Sequence, residues 1–419
     1  MPKFKVQGGV PLKGEVKISG AKNAALPILA ATLLATEPCT LTNVPDISDV
    51  HTFLGILKDL GAEATFTEGT VKIDTRKVRP SKIKHEQVKK MRASILLLGP
   101  LLGRFKEVSL AFPGGCVLGK RSVHAHLHAL EKLGARIQDE KSEEDIHLKT
   151  TKLIPADFIM WEASVTATEN ALMAAVMAEG TSQIRWAAME PHVQDLCHFL
   201  VALGAKIEGI GTPTLTVHGA ALLTGTEYEI TPDYLETGTL ALAGVLTKGH
   251  IKLTFTRTNQ LDSFWQKLEE VGASFHLKPS EVEIKPTKHF KAIEKLQTAV
   301  FPGFATDLQA PFTVLLTQCE GVSKVYETLF EGRLNYLYEL ERMGANIEIQ
   351  NPHQALIHGP KRLKGTEIAS NDIRAGAAMV LAALIAEGET IISDINYIDR
   401  GYERIDEKLR HLGAKITRQ

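Results

Sequence analysis

Apolar residues recur along this chain at two periods, and the two periods alternate. Val50, Phe53, Leu54, Leu57 and Leu60 fall at helical spacing, Gly61 follows them, and residues 64–66 and 71–73 then alternate apolar and polar around Glu68-Gly69. The pattern predicts an amphipathic helix ended by a glycine in the left-handed conformation, then a strand, a turn and a second strand. The same cadence closes six such runs: Leu60-Gly61-Ala62, Leu133-Gly134-Ala135, Leu203-Gly204-Ala205, Val271-Gly272-Ala273, Met343-Gly344-Ala345 and Leu412-Gly413-Ala414. With a period of about 70 residues, six stacked copies of one supersecondary unit fill the chain. Upstream of each amphipathic helix lies a second run, apolar nearly all round, at 24–35, 93–102, 170–178, 239–246, 310–316 and 375–386. Helices of that composition are buried.

The last copy stops after one strand at 415–417, and the chain opens on a lone strand-like segment at 4–6. The two ends are expected to pair. One domain, 1–20 plus 231–419, then holds both termini and three copies, and a domain of 21–230 carrying the other three is inserted into it. Two similar lobes with a cleft between them follow.

Composition narrows the function. The 419 residues are 44% hydrophobic and 23% charged, which excludes disorder and fibre. Forty-eight basic against forty-nine acidic residues produce no global field for nucleic acid or an anionic membrane, so an anion site must be a local cluster. Residues 1–9 have no apolar signal core, and the longest apolar runs are too short to span a bilayer, so the chain is expected in the cytoplasm. Cys39, Cys116, Cys197 and Cys319 lack CxxC spacing, which argues against a zinc site or a disulfide framework and for reduced thiols.

Candidate chemistry collects where the buried helices begin: Lys22-Asn23, Arg92, Ser164 to Thr168, Asp233 to Thr237, Thr306-Asp307 and Asp372 to Arg374. Helix N-termini carry unpaired N–H groups and partial positive charge, so several of them facing one cleft would bind an anion. Taken singly, Ser164, Thr166, Asp233 and Thr237 read as helix caps. Capping does not explain Lys22, Arg92 and Arg374, whose charges are unfavourable at a positive helix end; a bound anion resolves that conflict. The segment from Pro113-Gly114-Gly115-Cys116 to Gly119-Lys120-Arg121 has the Gly-four-Gly-Lys spacing of a phosphate-binding loop, but Arg121 stands where a Ser or Thr is required for magnesium. Its thiol, among glycines and beside two basic residues, is expected to be reactive, against the alternative of a small buried cysteine.

These residues form a familiar set. Ser19-Gly20-Ala21-Lys22-Asn23-Ala24-Ala25-Leu26-Pro27, the Cys116 loop, Thr306-Asp307-Leu308-Gln309-Ala310, Glu331-Gly332-Arg333, Asp372-Ile373-Arg374-Ala375 and 398–404 resemble, in register from end to end, the enolpyruvyl transferases. Within them they are similar to the branch that acts on UDP-N-acetylglucosamine. The resemblance implies an α/β fold, a two-domain inside-out α/β barrel of six βαβαββ repeats. It also implies transfer of the enolpyruvyl group of phosphoenolpyruvate to the sugar 3-hydroxyl with release of phosphate, committing the sugar to peptidoglycan synthesis and hence to cell-wall biogenesis, cell shape and division. No metal or other cofactor is implied, and the partners are the two small-molecule substrates.

By the same resemblance Lys22, Asn23, Arg121, Arg333, Arg374 and Arg400 hold phosphoenolpyruvate, the arginines bidentately. Asp307 is the candidate base for the sugar hydroxyl, Cys116 the general acid or a product-release residue, and Lys22 and Arg400 complete the catalytic set. Asn23, Arg92, Arg121, His126, Ser164, Val165, Thr166, Asp307 and Leu329 match positions that hold the UDP-sugar. Four positions depart from relatives: Glu162 replaces a lysine, Thr166 a glycine, Leu96 a tryptophan and Tyr234 an arginine. An acidic Glu162 beside a diphosphate would repel it by about 1 kcal/mol at solvent-like dielectric, so it is expected to point away or to pair with a base such as Lys120. The alternatives are a shikimate 3-phosphate acceptor and a UDP-sugar-binding paralogue without turnover.

Overall fold

The computed structural model describes residues 2–79, 86, 88, 91–112, 122–138, 145–220, 222–370 and 372–419. The chain divides into two compact units at residues 19/20 and 231/232. Each unit has its own hydrophobic core, one built from residues 21–230 and the other from 4–18 and 234–416.

One repeat shows how the hydrophobic pattern becomes structure. Strand Asp157–Ile159 runs parallel to Thr181–Arg185, which pairs antiparallel with Thr214–His218, itself antiparallel to Lys206–Glu208. Parallel neighbours need a crossover, and helix Val165–Ala175 supplies it; sheet covers it on one side and other helices on the rest, which is why it is apolar nearly all round. The amphipathic helix Pro191–Ala202 then leads to the hairpin. Among the described residues the strands form five such four-stranded sheets and one of three.

The chain closes each unit on itself. In one, Glu227–Glu229 lies parallel to Cys39–Thr42 and supplies the first strand of a repeat whose helix is Lys22–Ala31. In the other, Lys13–Lys17 does the same for His250–Thr254, and Phe4–Gln7 lies between Glu389–Ser393 and Lys415–Arg418, antiparallel to both. The expected pairing of the two ends is therefore present, with Phe4 opposite Arg418 and Val6 opposite Ile416. Phe4 and Val6 are fully buried while Gln7 faces out, so register here follows the period-two pattern.

All six Gly-Ala cadences are Schellman motifs. Gly61 donates its N–H to the Lys58 carbonyl and Ala62 to that of Leu57, both at 2.9 Å, and the pair of bonds recurs at 134/135, 204/205, 272/273, 344/345 and 413/414. The six glycines have φ between +85° and +111°, a region costly for residues with a Cβ. The acceptor of each longer bond is a fully buried leucine, Leu57, Leu130, Leu200, Leu268, Leu340 or Leu409, that can pack on the alanine.

Two buried helices begin five residues earlier than the apolar runs predict: Val165–Ala175 rather than 170, and Tyr234–Leu246 rather than 239. Their first turns carry buried polar groups that satisfy themselves locally. Thr168 donates its hydroxyl to the Ser164 carbonyl at 2.8 Å, and Thr237 to that of Asp233 at 3.0 Å. A hydrophobicity pattern misses such turns.

Candidate active site

In the unit holding both termini, Asp372 caps helix Ile373–Ile385, its Oδ1 accepting the N–H groups of Arg374 and Ala375 at 2.8 and 2.9 Å. The cap fixes Arg374 on the first turn. Its guanidinium lies 3.1 Å from Asp307 Oδ2 and 5.3 Å from the centroid of Tyr402, whose hydroxyl is 2.9 Å from that of Thr239. Arg333 reaches the same carboxylate, both terminal nitrogens donating to Asp307 Oδ1 at 2.9 Å. Both arginine side chains are buried, at 6 and 7% exposure, whereas Asp307 keeps 24%. Burial opposes the Arg374 charge, but Asp307, Tyr402 and Asp233 outweigh it and push its pKa further up. Among the described residues, Arg333 Nε and Arg374 Nη1 are nevertheless buried without a hydrogen-bond partner. Donors in that state call for an acceptor.

Arg400 ends the 3₁₀ turn Ile395–Arg400, two residues before Tyr402, and is half-buried. Leu329 is exposed, and its N–H donates to Glu327 Oε1 at 2.9 Å. Asp233 caps Tyr234–Leu246 by accepting from Leu235 and Glu236, and burial raises its carboxyl pKa against the pull of Arg374 and those N–H groups.

In the unit of residues 20–231, Lys22 is the first residue of Lys22–Ala31, and its ammonium lies 2.6 Å from Asp49 Oδ2 with both side chains nearly buried. Asn23 follows it, half-buried. The conflict of a cation at a helix start is thus relieved within the chain: Asp49 serves Lys22, Asp307 serves Arg374, and Arg92 donates to the Ser122 carbonyl at 3.3 Å.

His126 is 2% exposed. Its Nδ1 lies 2.8 Å from Asn170 Nδ2, and Nε2 lies 3.2 Å from Thr166 Oγ1. The Asn170 amide also donates to the Ile95 carbonyl and accepts from the Gly99 N–H, which orients it as a donor to Nδ1. The network therefore assigns the imidazole proton to Nε2, aimed at Thr166. Burial, and secondarily Arg92, lowers the His126 pKa from 6.5 to about 3. Between those values the unfolded chain binds a proton that the folded one refuses, so stability falls as pH drops below about 6.5. His126→Gln keeps a donor and an acceptor but cannot titrate. Urea midpoints at pH 7.5 and pH 5 are expected to fall less in the variant; an equal fall would remove His126 as a source of acid sensitivity.

Ser164 occupies the N-cap of Val165–Ala175, but its side chain makes no capping bond, and Thr166 bonds His126 rather than the helix end; their expected capping is corrected accordingly. Glu162 is exposed, whereas Leu96 and Tyr234 are buried in the two hydrophobic cores. Cys116, Lys120 and Arg121, with the roles expected of them, lie outside the described residues. Sequence reasoning passed over Asp49, Asn170, Tyr402 and the wholly buried Glu169, whose pKa burial and Glu190 drive well up. A lone acid or amide inside an apolar run was the available signal. Among the described residues no group of three or more His, Cys, Asp or Glu is placed to hold a metal ion.

Comparison with known proteins places this architecture. The model of the EPSP synthase (3-phosphoshikimate 1-carboxyvinyltransferase) family matches residues 6–409. The solved enolpyruvyl transferase NikO from Streptomyces tendae superposes with a TM-score of 0.90 at 25% identity, over 100% of this chain and 99% of that one. EPSP synthase from Acinetobacter baumannii shares the fold, at a TM-score of 0.77 and 18% identity over the full length of both. Four-stranded sheets with apolar crossover helices, and a buried arginine on the first turn of helix Ile373–Ile385, are thus set in the frame of a carboxyvinyl-transferring enzyme class. UDP-N-acetylglucosamine 1-carboxyvinyltransferases of Methylacidiphilum infernorum (isolate V4) and Xylella fastidiosa (strain 9a5c) are 44 and 45% identical to this chain, over all of it and 99 and 100% of their own lengths. The chain belongs to the enolpyruvyl transferase family, on the branch of the UDP-N-acetylglucosamine 1-carboxyvinyltransferases.

Proposed function

We propose that this transferase moves the enolpyruvyl group of phosphoenolpyruvate to the 3-hydroxyl of UDP-N-acetylglucosamine, releasing phosphate, as a step of peptidoglycan precursor synthesis in the cytoplasm. The observation that carries the reading is the pair of buried arginines, Arg333 and Arg374, sharing Asp307 while each keeps a buried donor without a partner among the described residues. A substrate with a carboxylate and a phosphate supplies what they lack. Among the described residues no helix is long and apolar enough to cross a membrane, which is consistent with a freely diffusing substrate pair.

The chemistry follows from those groups. The sugar oxygen bonds to C2 of phosphoenolpyruvate, its proton passes to Asp307, and C3 gains a proton to give a tetrahedral adduct. The C2–O bond to phosphate then breaks, C3 loses a proton, and the enol ether remains. Lys22, Arg121, Arg333, Arg374 and Arg400 hold the anionic groups, with Asn23 beside them, and Cys116 serves as general acid or in product release. Asn23, Arg92, Arg121, His126, Ser164, Val165, Thr166, Asp307 and Leu329 hold the UDP-sugar. In the resting chain Arg333 donates twice to Asp307 Oδ1 and the Arg374 guanidinium lies 3.1 Å from Oδ2, so both guanidiniums compete for the lone pairs that a base needs. Substrate anions that draw the guanidiniums away release those lone pairs for the hydroxyl proton.

Phosphate release tests the reading. It is expected with phosphoenolpyruvate plus UDP-N-acetylglucosamine and not with shikimate 3-phosphate; release with the latter alone reassigns the acceptor, and silence with both leaves a binding paralogue.

The thiols provide a separate check. Cys39, Cys197 and Cys319 are buried, and burial raises the last two to about 12. A thiol-directed epoxide or maleimide is expected to attach at Cys116 alone near neutral pH, and not at all to Cys116→Ser. Turnover in a chain whose Cys116 resists the label contradicts an activated thiol.

A further inference from the structure

Glu327 follows strand Gly321–Tyr326 and is wholly buried. Its Oε1 accepts the N–H groups of Leu329 and Phe330 at 2.9 and 3.2 Å, and its Oε2 accepts the hydroxyl of Thr306 at 2.8 Å. Thr306 opens the 3₁₀ turn that carries Asp307. The circuit closes on itself, because the Arg333 guanidinium that bonds Asp307 lies 5.1 Å from the Phe330 ring centroid. The Glu327 backbone is held as well: its N–H donates to the His353 carbonyl at 2.8 Å, and its own carbonyl lies 2.9 Å from His353 Nδ1. The neighbouring Thr328 is tied to Thr298 through both its N–H and its hydroxyl.

A buried carboxylate that spends both oxygens on two chain segments holds their separation. One segment carries the candidate base, and the other presents the backbone at Leu329. We propose that Glu327 is a positioning residue for the transfer reaction, locking the Thr306-Asp307 turn and the Leu329-Phe330 backbone in one geometry so that base and sugar contact stay in register. The inference rests on the enolpyruvyl transfer proposed above. Glu327 touches no reacting atom; it acts through Thr306 and through the two amides. A misplacement of about 1 Å at a reacting group costs on the order of 100-fold in rate, so a tie of this kind is consequential.

Three variants separate positioning from bulk stability. Glu327→Leu removes all three bonds and is expected to lower kcat about 100-fold and to raise KM for the UDP-sugar. Glu327→Gln keeps an oxygen for the two amides and a nitrogen that Thr306 can accept from, and is expected to recover kcat to within about tenfold of the parent. Thr306→Val cuts only the tie to the Asp307 turn; its kcat is expected to fall while KM for the UDP-sugar stays within about twofold. A merely structural role would change the amount of folded protein, read from thermal melts, and leave kcat and KM per folded molecule alone. If Glu327→Leu is too unstable to assay, Thr306→Val carries the test. Parent-like kcat in Thr306→Val, or in a folded Glu327→Leu, overturns the proposal while the reaction stands. A parent chain that releases no phosphate from the UDP-sugar and phosphoenolpyruvate overturns the reaction itself, and this role with it.

Discussion

Asp307→Asn is expected to lower kcat by about 10²- to 10⁴-fold, the range of a lost general base, without raising KM for phosphoenolpyruvate. The asymmetry follows from what Asp307 touches. Its carboxylate neutralises two buried guanidiniums, and an amide cannot. Arg333 and Arg374 then face the substrate with more uncompensated positive charge, so an anion is held as well as before or better. The variant should also lose thermal stability and regain more of it than the parent does when phosphoenolpyruvate is added, because the ligand replaces the missing anion. Steady-state phosphate release with paired melts reads both effects. Turnover within tenfold of the parent would remove Asp307 from the base role and leave it as a counter-ion.

Lys408→Met carries the largest expected loss of stability. The Lys408 ammonium lies 2.5 Å from Glu236 Oε1 and 2.6 Å from Ser19 Oγ, while Glu236 Oε2 accepts the Ser19 N–H at 2.7 Å. Ser19 Oγ donates in turn to Glu403. The Lys408 and Glu236 side chains are 15 and 3% exposed, so the pair is out of water. Breaking a buried pair from one side costs about 3–5 kcal/mol, because an uncompensated charge is left behind. For a unit of this size that corresponds to a fall of about 10 °C in the melting of that unit.

The deficit has a predictable pH dependence. Burial already raises the Glu236 pKa against the pull of Lys408, and removing Lys408 raises it further. A carboxyl whose folded pKa lies above its unfolded value is favoured below the unfolded value and penalised as pH rises, so the variant should melt closer to the parent at pH 5 than at pH 8. The double variant Lys408→Met/Glu236→Leu should lose less than the sum of the single variants, since no buried charge remains. Equal losses at both pH values would show that packing, rather than the stranded carboxylate, sets the cost.

Local signals account for what was legible. The Gly-Ala cadence was readable because a Schellman motif is completed within six residues and needs a glycine at positive φ. The buried helices were readable from composition, except for first turns where Thr168, Glu169, Glu236 and Thr237 interrupt the apolar run. Lys22, Arg333, Arg374 and Asp307 were nominated by residue type and motif. No local rule pairs Lys22 with Asp49 or places Tyr402 against Arg374, because those partners sit on different elements of a repeat, with a whole helix and strand between them in the chain, and meet only once the elements pack. Glu327 was invisible for the same reason: a glutamate after a strand looks like any solvated turn residue until its three donors are known.

By itself, then, the sequence determined the repeat, the alternation of buried and amphipathic helices, the glycine stops and the residue types available for anion chemistry, all properties of neighbours within a turn or two of helix or a few residues of strand. The tertiary structure alone decided which charges meet, which caps are made and which donors stay unsatisfied. Those outcomes depend on distances between groups far apart in the chain, and burial then multiplies the energetic consequence of each by removing water as the alternative partner.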